Sequence, residues 1–338
     1  MSKLWRLPPE RARSTVLLAG GTASVLGQSG QLPGTENLSA RRATFRGIAW
    51  ALATVLIWGG WPAFTRMSVT QALSPEDLVA MRYAIGGVIL LPILIKQAER
   101  IPLSGWREGV VLAFFQGAPL ALLVTLGVQY APASHMGALS PGLLPLFAAI
   151  WGMWFFNERP SAGRMLGLAL ILGGAVLMAG ISLSTFRDAT WKGDLLFICA
   201  GMMGSIYTVR MRHCGLSAMQ GAALIGVYSM AYLPLYAWLW FPHSRLFEAS
   251  GGELLLQATY QGVLMGAVAL FSLSRAIVAL GAVRATAFVS LVPVLGTLFG
   301  ALILHEIPTI SEALSVTAIS LGVLLAARAS LRQGDGAR

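Results

Sequence analysis

From residue 47 onward the chain is a series of long apolar runs separated by short polar joints. A helix needs about 20 apolar residues to cross the roughly 30 Å hydrocarbon core of a bilayer. Runs of this length that do not alternate favour helices over a barrel. Ten of them predict membrane-spanning helices, over residues 47–65, 75–95, 108–130, 133–156, 163–184, 193–209, 217–240, 255–280, 285–304 and 310–327.

The polar segments fit this pattern. Before the second span, Ser74 is placed as an N-cap, with Pro75 at the first helical position and Glu76 and Asp77 at the positive end of the helix dipole. Residues 1–45 form a basic leader whose only apolar piece is too short to span, so we expect it to be disordered; a weak targeting signal is the alternative. Residues 331–338 form a short tail.

The two halves of the chain repeat each other. A shift of 148 residues superposes Pro145 on Pro293, Glu158 on Glu306 and Pro160 on Pro308. We infer two units of five spans each, over residues 46–184 and 193–330. Because five is an odd number, the second unit lies upside down relative to the first. The predicted fold is therefore an all-α membrane protein of two inverted five-helix repeats, an arrangement that lets one fold face either side of a membrane.

The repeated residues have structural and functional interpretations. Pro145 and Pro293 free a backbone carbonyl and bend their helices, which is tolerated beside a cavity, so spans 4 and 9 are expected to line the centre. Glu158 and Glu306 are expected to accept hydrogen bonds from the first amides of the following helix. The alternative is that these carboxylates latch gates at opposite membrane faces.

Composition supports a membrane protein. Hydrophobic residues make up 56% of the 338 and charged residues only 11%, against about 25% charged in soluble domains. The net charge of +10 does not indicate nucleic-acid binding, because the basic residues lie between apolar runs rather than on a soluble face with aromatic residues. Cys199 and Cys214 show no spacing typical of a metal site or disulfide framework, so no cofactor or metal is expected.

Lysine and arginine predict the orientation. With the N-terminus in the cytoplasm, 18 of the 24 basic residues lie on the cytoplasmic side and four on the other, while Arg82 and Arg275 lie within spans. The positive-inside rule therefore places both termini in the cytoplasm, in the cytoplasmic or inner cell membrane.

Several motifs together resemble a known family. They are Trp58-Gly59 in the first span, Ser74-Pro75 followed by Arg82 in the second, and a proline helix that closes on NERPS (157–161) and again on HEIPT (305–309). With ten spans and a duplication, they resemble the EamA-type drug/metabolite transporter superfamily over about residues 47–328. The resemblance implies transport of a small metabolite, often efflux. Gly204 stands where Trp58 would recur, so the pocket is expected to be asymmetric.

Ionisable groups at membrane depth are functional candidates by default. Arg82 lies eight residues after Ser74, about 12 Å deep, where it is expected to contact the solute or a gate, or alternatively to bind freed carbonyls. Arg275 is the second such arginine. His135 is a candidate titratable group, although a packing role is the alternative. No carboxylate lies in the middle of a predicted span, so coupling is expected to use facilitated movement, exchange, or protonation of His135 or of the solute.

A solute pocket needs aromatic walls and a few polar groups. The expected contributors besides Arg82, His135 and Arg275 are Trp58, Gln116, Tyr207, Ser272 and Ser274. Each of them could equally serve helix packing. Two arginines with aromatic walls favour an anionic or zwitterionic solute such as an amino acid.

Other functions fit the sequence less well. A membrane enzyme would need a metal-binding histidine pair, two aspartates within spans, or a serine with a histidine base; the first two are absent, and Ser140 and His135 do not share a helical face. A scaffold or receptor of the same fold remains an alternative. The expected partners are the lipid bilayer and a small-molecule substrate, with the protein a monomer or homodimer.

Overall fold

A computed structural model describes residues 33–156, 158, 160–180, 189–280 and 282–335. All regular structure in those ranges is helical. The first half of the chain forms α1 (Pro33–Gln71), α2 (Pro75–Gln97), α3 (Leu103–Gln116), α4 (Ala118–Tyr130), α5 (Ala133–Leu139), α6 (Leu144–Phe156) and α7 (Ala162–Met178).

The second half forms α8 (Thr190–His213), α9 (Ala218–Tyr228), α10 (Tyr232–Leu239), α11 (Gly251–Gln257), α12 (Ala269–Leu280), α13 (Ala282–Ala287), α14 (Val292–Leu304) and α15 (Ile310–Asp335). A π-helix over Ala258–Val268 joins α11 to α12. Short 3₁₀ segments cover Ala98–Arg100, Ser229–Ala231, Phe241–His243 and Phe288–Leu291.

Most of the predicted spans coincide with helices that could cross a membrane. By length and composition, eight segments qualify among the described residues: Thr44–Gln71, Pro75–Arg100, Leu103–Tyr130, Ala133–Phe155, Thr190–His213, Ala218–Leu239, Gly251–Leu280 and Ile310–Ala329. The fifth and ninth predicted spans correspond to two shorter apolar helices, Ala162–Met178 and Phe288–Leu304. An all-α fold with several spans is therefore confirmed, while ten crossings stay a prediction.

Two helix starts test the local predictions. The Oγ atom of Ser74 accepts from the backbone N–H of Asp77 at 3.2 Å, and the Asp77 carboxylate accepts from the backbone N–H of Ser74 at 3.1 Å. The predicted N-cap is thus part of a capping box. The first helix starts earlier than expected: α1 begins at Pro33 and includes the last residues of the predicted leader. Residues 1–32 lie outside the described residues.

The proline helices are broken at corresponding places in the two halves. In the first, the chain leaves α5 at Leu139 and re-enters helix at Leu144, with Pro145 in the first turn of α6. In the second, it leaves α13 at Ala287 and re-enters at Val292, with Pro293 in the first turn of α14. The starts and ends of α6 and α14 are related by the same shift of 148 residues that relates Pro145 and Pro293.

The packing of α7 on α15 is reciprocal. A Cβ on Gly322 would lie 2.6 Å from the carbonyl oxygen of Gly167, and a Cβ on Gly174 would lie 2.9 Å from that of Ser315. The same shift carries Gly174 onto Gly322 and Gly167 onto Ser315, so each contact is the image of the other. Such self-complementary pairing is what a twofold axis produces. The two halves of this helix pair are thus related by a pseudo-twofold axis.

Other helix pairs repeat in the same way. Helix α1 packs on α12 and α14 as α8 packs on α4 and α6. We call the end of the bundle where α1 ends and where α5, α8 and α15 begin the outer end, and the opposite end the inner end. At the outer end, α5 packs on α14, whereas α6 and α13 do not form a pair of comparable extent among the described residues.

Candidate functional site

Arg82 lies inside the bundle on α2 and is only 8% exposed. Its Nη2 atom donates to Oε1 of Gln261 at 2.5 Å. Its Cζ atom lies 4.3 Å from the centroid of the Trp61 ring, within the range of a cation–π interaction. The predicted depth of this arginine is thus matched by burial and by contacts from α1 and the π-helix.

Further polar side chains extend the surroundings of Arg82. Nε2 of Gln261 donates to Oγ1 of Thr65 at 3.0 Å. Nε2 of Gln257 donates to the backbone oxygen of Phe64 at 3.1 Å. Both glutamines and Thr65 are at most 1% exposed. We call this group the Arg82 cluster; it consists of Trp61, Thr65, Arg82, Gln257 and Gln261.

Arg82 lacks an acidic partner within the part of the chain that the structure describes, since no carboxylate lies within ion-pair distance of it. A buried guanidinium that is not paired with an anion is costly. The amide oxygen of Gln261 and the face of Trp61 compensate for part of this cost only. The Arg82 cluster is therefore suited to receive a negatively charged group.

The π-helix supplies two adjacent side chains to the same region. Tyr260 is 7% exposed and its hydroxyl donates to the backbone oxygen of Ile57 at 2.6 Å. Gln261, the next residue, is 1% exposed and reaches Arg82. A π-helix has more residues per turn than an α-helix, and π-helical segments are frequent at functional sites. Here both neighbours are directed into the bundle, where they contact α1 and α2.

A second polar group closes the outer end. Arg66 binds the carboxylate of Glu306 and also donates to the backbone oxygens of Val128 at 2.5 Å and Ala131 at 2.8 Å. Glu306 in turn accepts from the backbone N–H of Ala133, at the start of α5, at 3.0 Å. This group joins α1, α4, α5 and the segment after α14. Glu306 therefore caps α5, in the other repeat, instead of the helix that follows it.

A third polar group surrounds His135 near the same end. Its Nδ1 atom lies 2.7 Å from Oδ1 of Asp194, and its Nε2 atom lies 3.0 Å from Oε1 of Glu312. The side chains of His135 and Asp194 are 7% and 5% exposed, and that of Glu312 is 16% exposed. Both ring nitrogens are engaged, so in this state the imidazole is not available to a solute.

The other predicted pocket residues do not join the Arg82 cluster. Trp58 is half-buried on α1, and Tyr207 packs among apolar side chains around Leu112 and Leu224. Gln116 ends α3, where its Oε1 atom lies close to Gly204. Arg275 is exposed, with its Cζ atom 5.1 Å from the centroid of the Phe271 ring.

The two predicted pocket serines, Ser272 and Ser274, lie on α12. Ser272 is fully buried, and its hydroxyl has no hydrogen-bond partner among the described residues. The side chain of Ser274 lies outside the described residues. A pocket shared by Trp58, Gln116, Tyr207, Ser272 and Ser274 therefore stays a prediction.

At the inner end, the repeated glutamate of the first half has a different partner. The Glu158 carboxylate lies 3.7 Å from Nη1 of Arg164 in the first turn of α7. The Glu158 backbone N–H donates to the oxygen of Gly152, as that of Glu306 donates to the oxygen of Gly300. The backbone geometry is thus repeated, while the side-chain contacts differ. Nearby, Arg210 on α8 binds Glu108 on α3.

Sequence reasoning missed Trp61, Gln261, Asp194 and Glu312. Asp194 and Glu312 lie close to the starts of predicted spans, where carboxylates usually face water, so the pattern predicted neither of them as a buried group. One signal was available: the repeat shift places Glu312 on Arg164, a charge reversal at matching positions. The side-chain partners of Arg66 and Arg82, Glu306 and Gln261, are more than 170 residues away in the chain. Local patterns do not reveal such contacts.

Known proteins share this architecture. A sequence model of the EamA-like transporter family matches residues 45–180 and again residues 191–328. An uncharacterized transporter of Archaeoglobus fulgidus is 27% identical over 159 residues, which are 46% of this chain and 54% of that protein. The uncharacterized transporter YoaV of Bacillus subtilis is 20% identical over 288 residues, 81% of this chain and 94% of that protein.

The fold is also similar to a solved one. A crystal structure whose title names no function superposes with a TM-score of 0.56 at 20% identity, covering 85% of this chain and 97% of that one. At this identity the likeness concerns the fold alone. The family match, in contrast, covers most of the chain in two copies. The chain therefore belongs to the EamA-like transporter family and is a multi-pass membrane transporter.

Proposed function

We propose that the protein carries a small organic solute with a negatively charged group, such as an amino acid or related metabolite, out of the cell by alternating access. The observation that carries this proposal is the buried Arg82 without an acidic partner among the described residues. The efflux direction rests on the resemblance of the sequence motifs to exporters of this superfamily.

The solute's negative group binds Arg82. A guanidinium presents several N–H donors in a fixed plane that matches a carboxylate. One of them donates to Gln261, and the flat face of the group lies against Trp61. Tyr83 is a further side-chain hydrogen-bond partner of Arg82. An anion beside the guanidinium would be attracted more strongly in the low dielectric of the bundle than in water. An anion at this point also balances the buried charge.

The repeats supply the motion. In the structure α5 packs on α14 at the outer end. The pseudo-twofold relation carries α5 onto α13 and α14 onto α6. Exchanging the conformations of the two repeats would separate α5 from α14 and bring α13 onto α6. The structure thus supports a state that is closed at the outer end, and its image is the state closed at the inner end.

The orientation completes the proposal. With both termini in the cytoplasm, the outer end faces away from the cytoplasm, and the state described here receives solute from inside. Release follows when the contacts of Arg66 and His135 at the outer end open.

The test is a flux measurement on purified protein in proteoliposomes. A thermal-shift screen with amino acids, other organic acids, amines and neutral metabolites first identifies the class that binds. We expect stabilisation by carboxylate-containing compounds and flux of the same compounds. Binding without flux or exchange would favour the scaffold or receptor alternative, and stabilisation by amines alone would contradict the role of Arg82.

A further inference from the structure

His135, Asp194 and Glu312 form a chain of titratable groups that spans both repeats. His135 belongs to α5, Asp194 to α8 just after its first turn, and Glu312 to the first turn of α15. Hydrogen-bond distances of 2.7 Å and 3.0 Å connect the imidazole to the two carboxylates. The three groups therefore tie a first-repeat helix to two second-repeat helices.

The two hydrogen bonds fix the number of protons. Carboxylates accept and a neutral imidazole donates from one nitrogen only. Two bonds among three groups need two protons, held either as an imidazolium with two carboxylates or as a neutral imidazole with one carboxylic acid. If one proton leaves, a ring nitrogen with a lone pair faces an ionised carboxylate. That contact is repulsive in a buried site, so one tie is lost.

The protonation of His135, Asp194 and Glu312 depends mainly on these three groups themselves, because the neighbouring charged side chains have other partners. Asp194 faces the ring from α8 and Glu312 faces it from α15. From α1 and the segment after α14, Arg66 and Glu306 bind each other beside the start of α5. Lys192 lies near the rings of Tyr130 and Trp191, at 5.8 Å and 6.0 Å from their centroids. Apart from His135, no cation among the described residues makes an ion pair with Asp194 or Glu312.

A metal ion does not fit the same geometry. Nitrogen and oxygen ligands lie about 2.0–2.2 Å from zinc, so the ion needs space between them. Here the nitrogens and oxygens are in direct contact at hydrogen-bond distance. No group of metal-binding side chains was found within the described ranges. The ligand that this arrangement takes is a proton.

We propose that His135, Asp194 and Glu312 are a proton-binding site that holds the outer end closed, and that loss of one proton to the outer solution releases α15 from α5. The lost proton breaks one N–H or O–H bond and passes to water. Glu312 is the carboxylate that leaves, because its side chain is more exposed than that of Asp194 and is rehydrated at lower cost.

Glu312→Gln removes the charge of this side chain and keeps its shape. Oε2 of Glu312 accepts from the backbone N–H of Thr309 at 2.6 Å, while Oε1 faces His135. In Glu312→Gln the amide oxygen takes the place of Oε2 and keeps the helix start capped. The amide nitrogen takes the place of Oε1 and donates to a neutral imidazole. Both ties of His135 then persist without the second proton.

The experiment measures a distance rather than flux. Spin labels are attached to Tyr130→Cys and Ile310→Cys, two exposed outer-end positions, in a Cys199→Ser, Cys214→Ser background. Double electron–electron resonance follows their separation in nanodiscs from about pH 5 to about pH 10, the range over which imidazole and coupled carboxylates exchange protons. We expect one transition to a longer distance as the pH rises. In Glu312→Gln the short distance should persist at every pH.

Controls decide the interpretation. His243→Gln removes an exposed histidine at the outer end that is not part of the His135–Asp194–Glu312 group. This variant should leave the transition unchanged. Asp194→Asn should also keep the distance short, which provides a second test if Glu312→Gln does not fold. A distance independent of pH in the parent protein, or a transition that survives in both amide variants, would overturn the proposal.

The role of the site in transport rests on the proposed function, but the distance does not. A pH-dependent distance without any solute flux would support the proton site and contradict the carrier. Solute flux together with a distance that does not depend on pH would support the carrier and contradict the proton site.

Discussion

Arg66 and Glu306 form an ion pair that joins the last turns of α1 to the segment after α14, and the same carboxylate caps α5. Two contacts of the Glu306 carboxylate thus connect α1, α5 and the end of α14 at the outer end. Two backbone oxygens, those of Val128 and Ala131, also depend on Arg66.

Removal of Arg66 should therefore destabilise the closed outer end. In Arg66→Ala, Glu306 loses its counterion and two carbonyl groups lose their donor, so we expect the free energy of unfolding to fall by about 1–3 kcal/mol. Arg245→Ala is the matched control, because its pair with Glu248 is exposed and should contribute less than about 1 kcal/mol. Denaturant titration in micelles measures both. Equal effects of the two substitutions would show that the outer-end pair does not support the fold.

Arg82 should control solute affinity more than stability. In Arg82→Gln the charge that faces the solute is gone, while an amide can still bond Gln261. A charge-assisted hydrogen bond contributes about 1.5–3 kcal/mol, so we expect KM for a carboxylate solute to rise about tenfold or more. Arg275→Gln, which changes an exposed arginine of α12, should leave KM unchanged. Flux in proteoliposomes gives KM, and a thermal scan reports stability. If both variants raised KM alike, Arg82 would not be the anion site.

The exchange of repeat conformations predicts a contact absent from this state. Gly137 and Gly296 approach each other where α5 meets α14, and their repeat counterparts are Ala285 on α13 and Ala148 on α6. Ala148→Cys with Ala285→Cys should cross-link more efficiently when the outer end is open than when it is closed. High pH, or bound solute, supplies the open state. The rate of disulfide formation is the measurement, in a background without Cys199 and Cys214.

A control fixes the meaning of that cross-link. Ala148→Cys with Val278→Cys, an exposed position on α12, has no repeat-related contact and should stay unlinked. A rate for the first pair that does not depend on conditions would contradict exchange between the repeats.

Cys214 reports the orientation of the inner end. Burial raises the pKa of the Cys214 thiol, which lies between α8 and α9. Because the thiolate is the reactive form, its maleimide labelling should rise with pH at higher pH values than that of an exposed cysteine. In Cys199→Ser, an impermeant maleimide should reach it only after the membrane is permeabilised.

The outer end provides the comparison for labelling. Glu248→Cys, in a background without native cysteines, is exposed on that side and should react in intact cells. The reverse pattern for the two positions would invert the predicted topology.

The helices were largely predictable because apolar runs and caps are local signals. Ser74 starts α2 as expected, and the shift that matches Pro145 with Pro293 also matches the bounds of α6 and α14. The side-chain partners were not predictable, because they depend on how distant segments pack. Glu306 was expected to cap the helix after it and caps α5 instead. Asp194 lies near a span end in sequence, yet packing buries it beside His135.

The crossing of α7 and α15 gives the last prediction. Gly322 lies so close to the backbone of α7 that any Cβ would meet the Gly167 oxygen at 2.6 Å, whereas a Cβ on Gly173 has no atom within 4 Å. Backbone contact leaves no flexible side chain to move aside, so the helices must separate. Gly322→Val should lower the free energy of unfolding by about 1–3 kcal/mol, as overpacking does. Gly173→Val should have little effect on stability, since the helix propensity of valine is similar to or better than that of glycine. Unfolding in mixed micelles compares the two, and equal stability would mean that the reciprocal glycine contacts do not hold the pseudo-twofold pair together.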